Sequence, residues 1–447
     1  MLASMPFLNW RWLPLWEWNR QPSCSIARIT SLTFINEYKS ECLNLQNDYA
    51  GLDARWGRAS LRRDLNHLPL SLTRPGKCLA YYPVRGETDM PVEHSRQHPD
   101  QHQPWAAWSE EQTLHVAVCY SNPFRWRARR ELANDCIRHL RGAANVRVHV
   151  GELAYGDRPF EITDPAQDPT DVRLRTNYEL FHKENILNRV IQTFPAGWKY
   201  GAYVDADFHL TRHDWALETI HQLQHYDFVQ PFSSYSDLTG ETYGTGHLPM
   251  RVNAGFAFNY VQNGYQLPAG YAHGGWKKAG ADSYDGSGAG QRGVGATGGM
   301  WAFRRTAFDT VGGLLDKCIL GHGDWFMAFG LVGEEAPDMH IDGYTADYRG
   351  AISAWQRSAA KLKKNIGYVD GFAVHHFHGS KVRRAYSHRD LILVRNQFAP
   401  TADLRADWQG IYQLTADKPR LRDEIRRYFI SRTEDDPNLY GSEKPLV

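Results

Sequence analysis

From residue 113 onward, short apolar runs alternate with amphipathic stretches. Strands are predicted for the runs rich in β-branched and aromatic residues, which are LHVAVCY (114–120), NVRVHVGEL (145–153) and YGAYVDADF (200–208). Helices are predicted for RWRARRELANDCIRHLRG (125–142) and YELFHKENILNRVIQTF (178–194). Strands joined by helical crossovers run parallel. The pattern therefore predicts an α/β domain with a mostly parallel central sheet flanked by helices.

The remaining segments differ from this domain in composition. Residues 86–112 are polar and rich in His, Gln and Pro, which predicts a linker. This boundary leaves an N-terminal extension of uncertain fold over 1–85, the α/β domain over 113–415 and a helical tail over 416–447. Residues 264–299 are rich in glycine and are predicted to form a mobile loop over a site.

Two aspartates directly follow the apolar residues Tyr203 and Val204. Asp205 and Asp207 are predicted to lie at the carboxyl end of a strand, where ligands collect in open α/β sheets. Carboxylate oxygens suit Mg²⁺ or Mn²⁺, which also bind the phosphate oxygens of a nucleotide diphosphate. We therefore expect Asp205 and Asp207 to hold one divalent cation, with an ordinary DxD turn as the alternative.

A glycine-rich run with one aspartate follows, GATGGMWAFRRTAFDTVGGLLDKCILGHGDWFMAF (295–329). Gly298 and Gly299 permit close backbone approach, and the next residues, MWAF, are typical of a buried strand. Asp324 precedes an apolar helix. It is therefore a candidate N-cap residue or, alternatively, a general base that deprotonates an acceptor hydroxyl.

A histidine cluster forms the third element, HHFHGSK (375–381). On a strand, His376 and His378 would face the same side, so either could reach the metal. Lys381 could neutralise a leaving diphosphate, and a basic surface turn is the alternative.

These three elements, in this order, resemble the nucleotide-sugar transferases of the GT-A fold, over roughly residues 113–415. The DxD resembles that group's metal and diphosphate site. The run ending in GHGDW resembles a segment of the β-galactosyltransferases and related inverting families that ends in an acidic base, which implies Asp324. HFHGSK resembles the metal-binding histidine with a glycine and lysine at the diphosphate, which implies His378, Gly379 and Lys381.

The resemblance implies a Rossmann-like sheet and metal-dependent hexosyl transfer from a nucleotide sugar, with a UDP-sugar expected, to an acceptor hydroxyl. Inversion is expected, with Asp324 as the base. Two departures leave the stereochemistry open. The β-galactosyltransferases have paired acidic residues where this chain has one, and HGxK also resembles some retaining enzymes of the same fold.

The resemblance also implies contacts to the donor. Tyr120, Ser121 and Asn122, at the end of the first strand, are expected near the base and ribose, with core or turn roles as the alternative. Arg175, together with Asn177 and Lys183, could contact ribose or phosphate, or lie on a solvated helix face.

Substrate contacts are expected from the glycine-rich run. Gly298 and Gly299 would approach the substrate closely, and Trp301 could line an acceptor pocket because aromatic faces pack against sugar CH groups. A tryptophan within an apolar strand could equally belong to the core.

Two other functions compete with sugar transfer. A phosphohydrolase or nucleotidyltransferase would use the same aspartates and need further carboxylates around a second metal. A carbohydrate- or nucleic-acid-binding module would keep the fold without the chemistry.

Composition narrows the partners. The net charge is +1, from 51 basic and 50 acidic residues, so no general attraction for nucleic acid is expected. The six scattered cysteines suit a reducing compartment, and the protein is expected to be cytoplasmic.

No run approaches the roughly 20 apolar residues of a membrane span, although the tryptophans of Met1–Trp18 could contact a membrane interface. The acceptor could be a glycan, a lipid-linked sugar, a protein or modified DNA.

Overall fold

The computed structural model describes residues 112–243, 246–268, 294–336, 343–379, 383–386, 389–415 and 417–435. The predicted N-terminal extension over 1–85 and nearly all of the linker over 86–112 lie outside this part of the chain, as does most of the predicted glycine-rich loop over 264–299.

Strands and helices alternate through the first half of the described chain. The strands are β1 Leu114–Ser121, β2 Val146–Tyr155, β3 Val172–Thr176, β4 Tyr200–Val204, β5 Phe208–Leu210, β6 Phe228–Gln230, β7 Ser234–Tyr243, β8 Gly246–Ala254, β9 Met300–Arg304, β10 Ile366–Tyr368, β11 Phe372–His375, β12 Leu404–Ala406 and β13 Tyr412–Leu414. The helices are α1 Arg127–Arg141, α2 Lys183–Ile191, α3 Trp215–Leu223, α4 Phe256–Gln262, α5 Arg305–Val311, α6 Gly323–Leu331, α7 Ala346–Ala359, α8 Leu391–Arg395, α9 Pro400–Asp403 and α10 Pro419–Ser431.

The central sheet has seven strands in the order β10-β6-β9-β4-β1-β2-β3. Every neighbouring pair is parallel except those of β9, which runs antiparallel to both β4 and β6. A second sheet has the order β5-β11-β7-β8, and β12 pairs with β13. The predicted α/β fold with a mostly parallel sheet is confirmed.

Apolar side chains cover both faces of the central sheet. On one face, α1 contributes Ala133, Cys136, Ile137 and Leu140, the spacing of a helix with one apolar side. Helix α3 packs on the same face, and α2, α5, α6 and α7 pack on the other. Strand β1 is buried along most of its length, as expected for a central strand covered by helices on both sides.

The structure corrects several element boundaries. Strand β3 lies between β2 and α2 and was not predicted, and α2 is shorter than the predicted helix over 178–194. Within the predicted tail, α10 buries Leu421, Ile425, Tyr428 and Phe429 in the main core. None of the described helices combines the length and the apolar character that crossing a bilayer requires.

Gly151 lets α2 pack directly on β2. A methyl group at this position would lie 2.8 Å from Ile186 Cγ2 and would also overlap Val190 Cγ2. We expect Gly151→Ala to lower the free energy of unfolding by about 1–3 kcal/mol, because both neighbours belong to a closely packed core. Chemical denaturation would measure this effect. Gly197→Ala is the matched control, since nothing lies within 4 Å of the added methyl group. Equal stability of the two variants would contradict the expectation.

Candidate functional site

The DxD segment lies at the carboxyl end of β4, in the middle of the central sheet. Strand β4 ends at Val204, and the chain then turns, with the Phe208 amide donating to the Asp205 carbonyl at 3.1 Å. Asp205 also pairs with the end of the neighbouring antiparallel strand. Its amide donates to the Gly299 carbonyl at 2.8 Å, and its Oδ2 accepts from the Gly299 amide at 3.2 Å.

Asp207 lies in a group with two histidines. One donor atom each of Asp207, His375 and His378 lies within 4.8 Å of the others. His378 Nε2 is 2.8 Å from Asp207 Oδ2, and His375 Nε2 is 3.6 Å from Asp207 Oδ1. Two imidazole nitrogens and a carboxylate oxygen form a donor set that Mn²⁺ and related divalent cations accept.

A further carboxylate orients one of these histidines. Asp237 is buried in β7 directly opposite His375 in β11, and its Oδ1 lies 2.8 Å from His375 Nδ1. Carboxylates in this position commonly fix the ring orientation of metal-binding histidines.

The charges of the group suit a cation. The pKa of Asp207 is well below its usual value, because His378 and His375 outweigh the effect of burial. Burial, with a contribution from Arg384, lowers the pKa of His378 to about 4. At neutral pH, Asp207 is therefore ionised and His378 neutral, the forms that bind metals. Asp207 Oδ1 is buried and accepts no hydrogen bond from the part of the chain that the structure describes, which is costly unless a cation compensates it.

Asp205 is not a member of the histidine group. Its Oδ1 lies 2.5 Å from Lys183 Nζ at the start of α2. The two carboxylates diverge because β4 ends before Asp205 and the next residues turn, so the alternation of an extended strand does not apply. Shared binding of one cation by Asp205 and Asp207 remains a prediction.

Asp324 lies close to the Asp205 side of the turn. A methyl group at Gly298 would be 2.6 Å from Asp324 Oδ2 and 3.7 Å from Asp205 Oδ2, so this glycine lies close to both carboxylates. Lys183 is attracted by both carboxylates, and this attraction outweighs its burial and raises its pKa well above the ordinary value. Neighbouring Glu184 is buried, which raises its pKa to about 8 and keeps it protonated at neutral pH.

Two local predictions are wrong. Asp324 does not cap its helix, because α6 begins at Gly323 and the N-cap residue is His322, with φ of 71° and Nδ1 2.7 Å from Asp390 Oδ2. His376 and His378 do not share a strand face, because β11 ends at His375. His376 Nε2 lies 3.1 Å from His209 Nδ1 instead.

The residues predicted to contact the nucleotide have partners within the protein. Tyr120 donates to Glu161 at 2.5 Å, and Ser121 Oγ lies 2.6 Å from the Tyr155 hydroxyl. Asn122 Oδ1 accepts from the Trp126 amide at 2.9 Å. These contacts match the turn roles given as the alternative, and nucleotide binding by these residues remains a prediction.

The other predicted contacts also remain predictions. Arg175 donates to the carbonyls of Gly156 and Arg158. Trp301 is 3% exposed, and its indole N–H donates to the Thr297 carbonyl at 2.8 Å, as a core residue would. Gly379 has φ of 97° and follows His378. Lys381 lies outside the described residues.

His375 and Asp237 were missed by reasoning from the sequence. His375 stands in the predicted cluster, but its neighbours were favoured because a longer strand was assumed. Asp237 joins it only through the pairing of β7 with β11, across 138 residues, and no local pattern indicates that pairing.

No family model and no curated protein sequence matches this chain. Solved structures that match include a nucleotide-diphospho-sugar transferase of Desulfovibrio desulfuricans G20, with 10% identity, 71% of this chain, 98% of that chain and a TM-score of 0.27. A mannosyltransferase of Pyrobaculum calidifontis, in complex with GDP-Man and Mn²⁺, is 11% identical. The match covers 66% of this chain and 65% of that chain, with a TM-score of 0.30. Drosophila β-1,4-galactosyltransferase 7, in complex with manganese, UDP-Gal and xylobiose, has 11% identity, 69% and 98% coverage and a TM-score of 0.28.

These matches are nucleotide-sugar transferases, the group that the sequence resembles. Their TM-scores of 0.30 or less carry no argument about the activity of this chain. The function therefore has to be inferred from the site itself.

The ion pair between Lys183 and Asp205 can be tested by its effect on stability. We expect Lys183→Met to lower the free energy of unfolding by about 1–3 kcal/mol, because Asp205, whose side chain is only 26% exposed, loses its ion-pair partner. Adding Asp205→Asn should recover part of this loss, and a double-mutant cycle measured by chemical denaturation would show the coupling.

Lys317→Met is the control for that cycle. Lys317 pairs with Asp316 at 3.2 Å but is 31% exposed, so its removal should cost no more than about 1 kcal/mol. Additive effects of the Lys183 and Asp205 substitutions would contradict a stabilising interaction between the two charges.

Proposed function

We propose that this chain is a metal-dependent glycosyltransferase that moves a sugar from a nucleoside-diphosphate sugar to an acceptor hydroxyl. The observation that carries the proposal is Asp207 Oδ1, a buried carboxylate oxygen that accepts no hydrogen bond from the described residues, beside the nitrogens of His375 and His378. This arrangement lies at the carboxyl end of a central strand, where α/β sheets bind their ligands.

Asp207, His375 and His378 would hold Mn²⁺ or Mg²⁺. Such a cation supplies electrostatic stabilisation of the negative charge that develops on a departing nucleoside diphosphate. Asp237 orients His375 for this role by the hydrogen bond to its Nδ1.

Positive side chains near the carboxylates favour an anionic donor. Lys183 is 11% exposed, its Nζ lies 2.5 Å from Asp205 Oδ1, and Asp324 also attracts it, so its ammonium is held at the strand end. Arg384 is buried and close enough to lower the pKa values of both Asp207 and His378. Lys381, from the resemblance, would add a third cation at the diphosphate, and a UDP-sugar is the donor that the resemblance favours.

Asp324 is proposed as the general base. Its Oδ2 lies next to the Cα of Gly298, on the same side of the turn as Asp205, and its Oδ1 accepts from the Trp325 amide at 3.0 Å. Oδ2 would take the proton as the acceptor oxygen forms a bond to the anomeric carbon and the bond from that carbon to the diphosphate oxygen breaks. Attack opposite the leaving group inverts the configuration.

The alternative of a phosphohydrolase or nucleotidyltransferase gains no support from the geometry. It requires further carboxylates around a second metal. Among the residues that the structure describes, a single group of His, Cys, Asp and Glu side chains could hold an ion. Of the nearby aspartates, Asp214 pairs with Arg212 at the surface, Asp227 contacts Asn365 and Asp237 contacts His375.

The role of Asp207 is tested by incubating the protein with Mn²⁺ and a panel of UDP-, GDP- and TDP-sugars and measuring the release of nucleoside diphosphate. Water can replace the acceptor, so slow hydrolysis of one donor is expected. Asp207→Asn should reduce this release at least about 100-fold, because it removes the ionised ligand. A chelator should have the same effect.

Asp214→Asn serves as the control because Asp214 is exposed and contacts Arg212. It should leave the release of nucleoside diphosphate unchanged. If no donor is consumed and calorimetry detects no Mn²⁺-assisted nucleotide binding, the proposed activity is wrong.

Asp324→Asn tests the base. We expect the release of nucleoside diphosphate to fall about 10²–10⁴-fold, because proton removal is lost, while binding of Mn²⁺ and donor is retained. Calorimetry would measure the binding. Asp309→Asn is the matched control, since Asp309 is exposed on α5 and pairs with Arg305. Full activity of Asp324→Asn would limit Asp324 to a structural role at the start of α6.

A further inference from the structure

Four residues after α10 connect segments that are far apart in sequence. We call Arg432, Thr433, Glu434 and Asp435 the C-terminal strap. Asp435 accepts hydrogen bonds from the backbone amides of Arg127 and Ala128, at 2.6 and 2.8 Å. These amides begin α1, whose own N-cap residue, Trp126, provides no side-chain hydrogen bond. Asp435 therefore caps a helix from a position 308 residues away.

Glu434 forms the buried part of the strap. Its side chain is 1% exposed and accepts from Arg129 Nε at 2.9 Å and from Arg129 Nη2 at 2.5 Å. Arg432 Nη2 lies 2.9 Å from the same carboxylate. Arg129 also donates to the carbonyl of Ser121 at the end of β1, at 2.8 Å. A charge-assisted, two-point contact of this kind fixes both position and orientation.

The strap also supports the histidine segment. Gly379, directly after His378, has φ of 97°, and a methyl group there would lie 3.3 Å from the Cα and Cγ of Glu434. The Gly379 backbone, next to His378, therefore packs against Glu434. Tyr428 in α10 adds a hydrogen bond to the Arg384 carbonyl at 3.0 Å, beyond the histidines.

The Glu434 carboxylate also balances charge beside the histidines. Arg129, Arg432 and Arg384 are cationic neighbours in this region, and Arg384 and Arg432 are at least nine-tenths buried. Without the carboxylate, the positive charge next to His378 would rise by one. A divalent cation would then bind less favourably, because like charges at short range are poorly screened inside a protein.

We propose that Glu434 is a positioning residue for the metal group, Asp207, His375 and His378. Glu434 holds the His378–Gly379 backbone against α1 and the end of β1. The proposal rests on the proposed metal-dependent function, because it assigns His378 to the cation. Glu434 is not one of the three candidate metal ligands, Asp207, His375 and His378. It acts through Gly379 and through Arg129.

The test compares Glu434→Gln with the wild type in the full chain. Hydrogen exchange of the metal-free proteins should show faster exchange at residues 372–379 and at the first amides of α1. Calorimetry with Mn²⁺ alone should show binding weakened about 10-fold, which is typical when support of a metal ligand is lost. The thermal midpoint, measured in parallel, shows that the variant is folded.

Glu424→Gln is the matched control. Glu424 lies on α10 and pairs with Arg420 at 2.8 Å, in a more exposed ion pair within one helix, and its described partners, Arg420 and Asn396, lie outside the strap and the histidine segment. It should change neither readout. Asp435→Ala is a substitution at an exposed residue that removes only the helix cap. It should change hydrogen exchange and Mn²⁺ binding in the same direction as Glu434→Gln, but by less. It replaces Glu434→Gln if that variant does not fold.

The outcomes separate this proposal from the proposed function. Unchanged exchange at 372–379 in both strap variants overturns the positioning role. If the strap variants exchange faster but the wild-type protein itself binds no Mn²⁺, the positioning role is retained and the metal-dependent function is overturned. Faster exchange together with weaker Mn²⁺ binding supports both.

Discussion

Two carboxylates lie within three residues at the end of a central strand, with side chains only 26% and 19% exposed, and each requires its own compensation. Asp205 and Asp207 cannot remain ionised side by side in a low-dielectric site unless positive charge or hydrogen-bond donors lie close by. The turn after Val204 directs them to different partners. Asp205 meets Lys183 at 2.5 Å, and Asp207 meets His378 at 2.8 Å. Much of the surrounding structure positions these partners next to the aspartates.

The packing of particular strands and helices places each partner beside its aspartate. Lys183 is the first residue of α2, and α2 is held against β2 because Gly151 has no side chain. His375 arrives through the second sheet, since β5 begins directly after Asp207 and pairs with β11 so that Phe208 lies opposite His375. The same strand, β11, pairs on its other side with β7, which places Asp237 opposite His375. The metal group is thus a consequence of strand register.

The sequence predicts the parts of this structure that depend on local pattern. The apolar run around Val116 and the amphipathic spacing of Cys136, Ile137 and Leu140 indicate β1 and α1, because burial on a sheet imposes these periods. The position of Asp205 and Asp207 at a strand end follows from the same reasoning. The partners of these aspartates do not, because strand register and helix docking are set by tertiary packing. Lys183 was identified only as a candidate for phosphate binding, and Asp237 was not identified as part of the site.

The segregation of the two aspartates has a chemical consequence for the proposed reaction. Mg²⁺ and Mn²⁺ favour about six ligands, so the three donor atoms of Asp207, His375 and His378 would leave about three positions for oxygens of the donor and water. Lys183 engages Asp205, and that carboxylate lies on the side of Gly298 and Asp324, where an acceptor hydroxyl would lose its proton. One turn thereby separates the side that would hold the leaving group from the side that would hold the nucleophile, as attack opposite the leaving group requires.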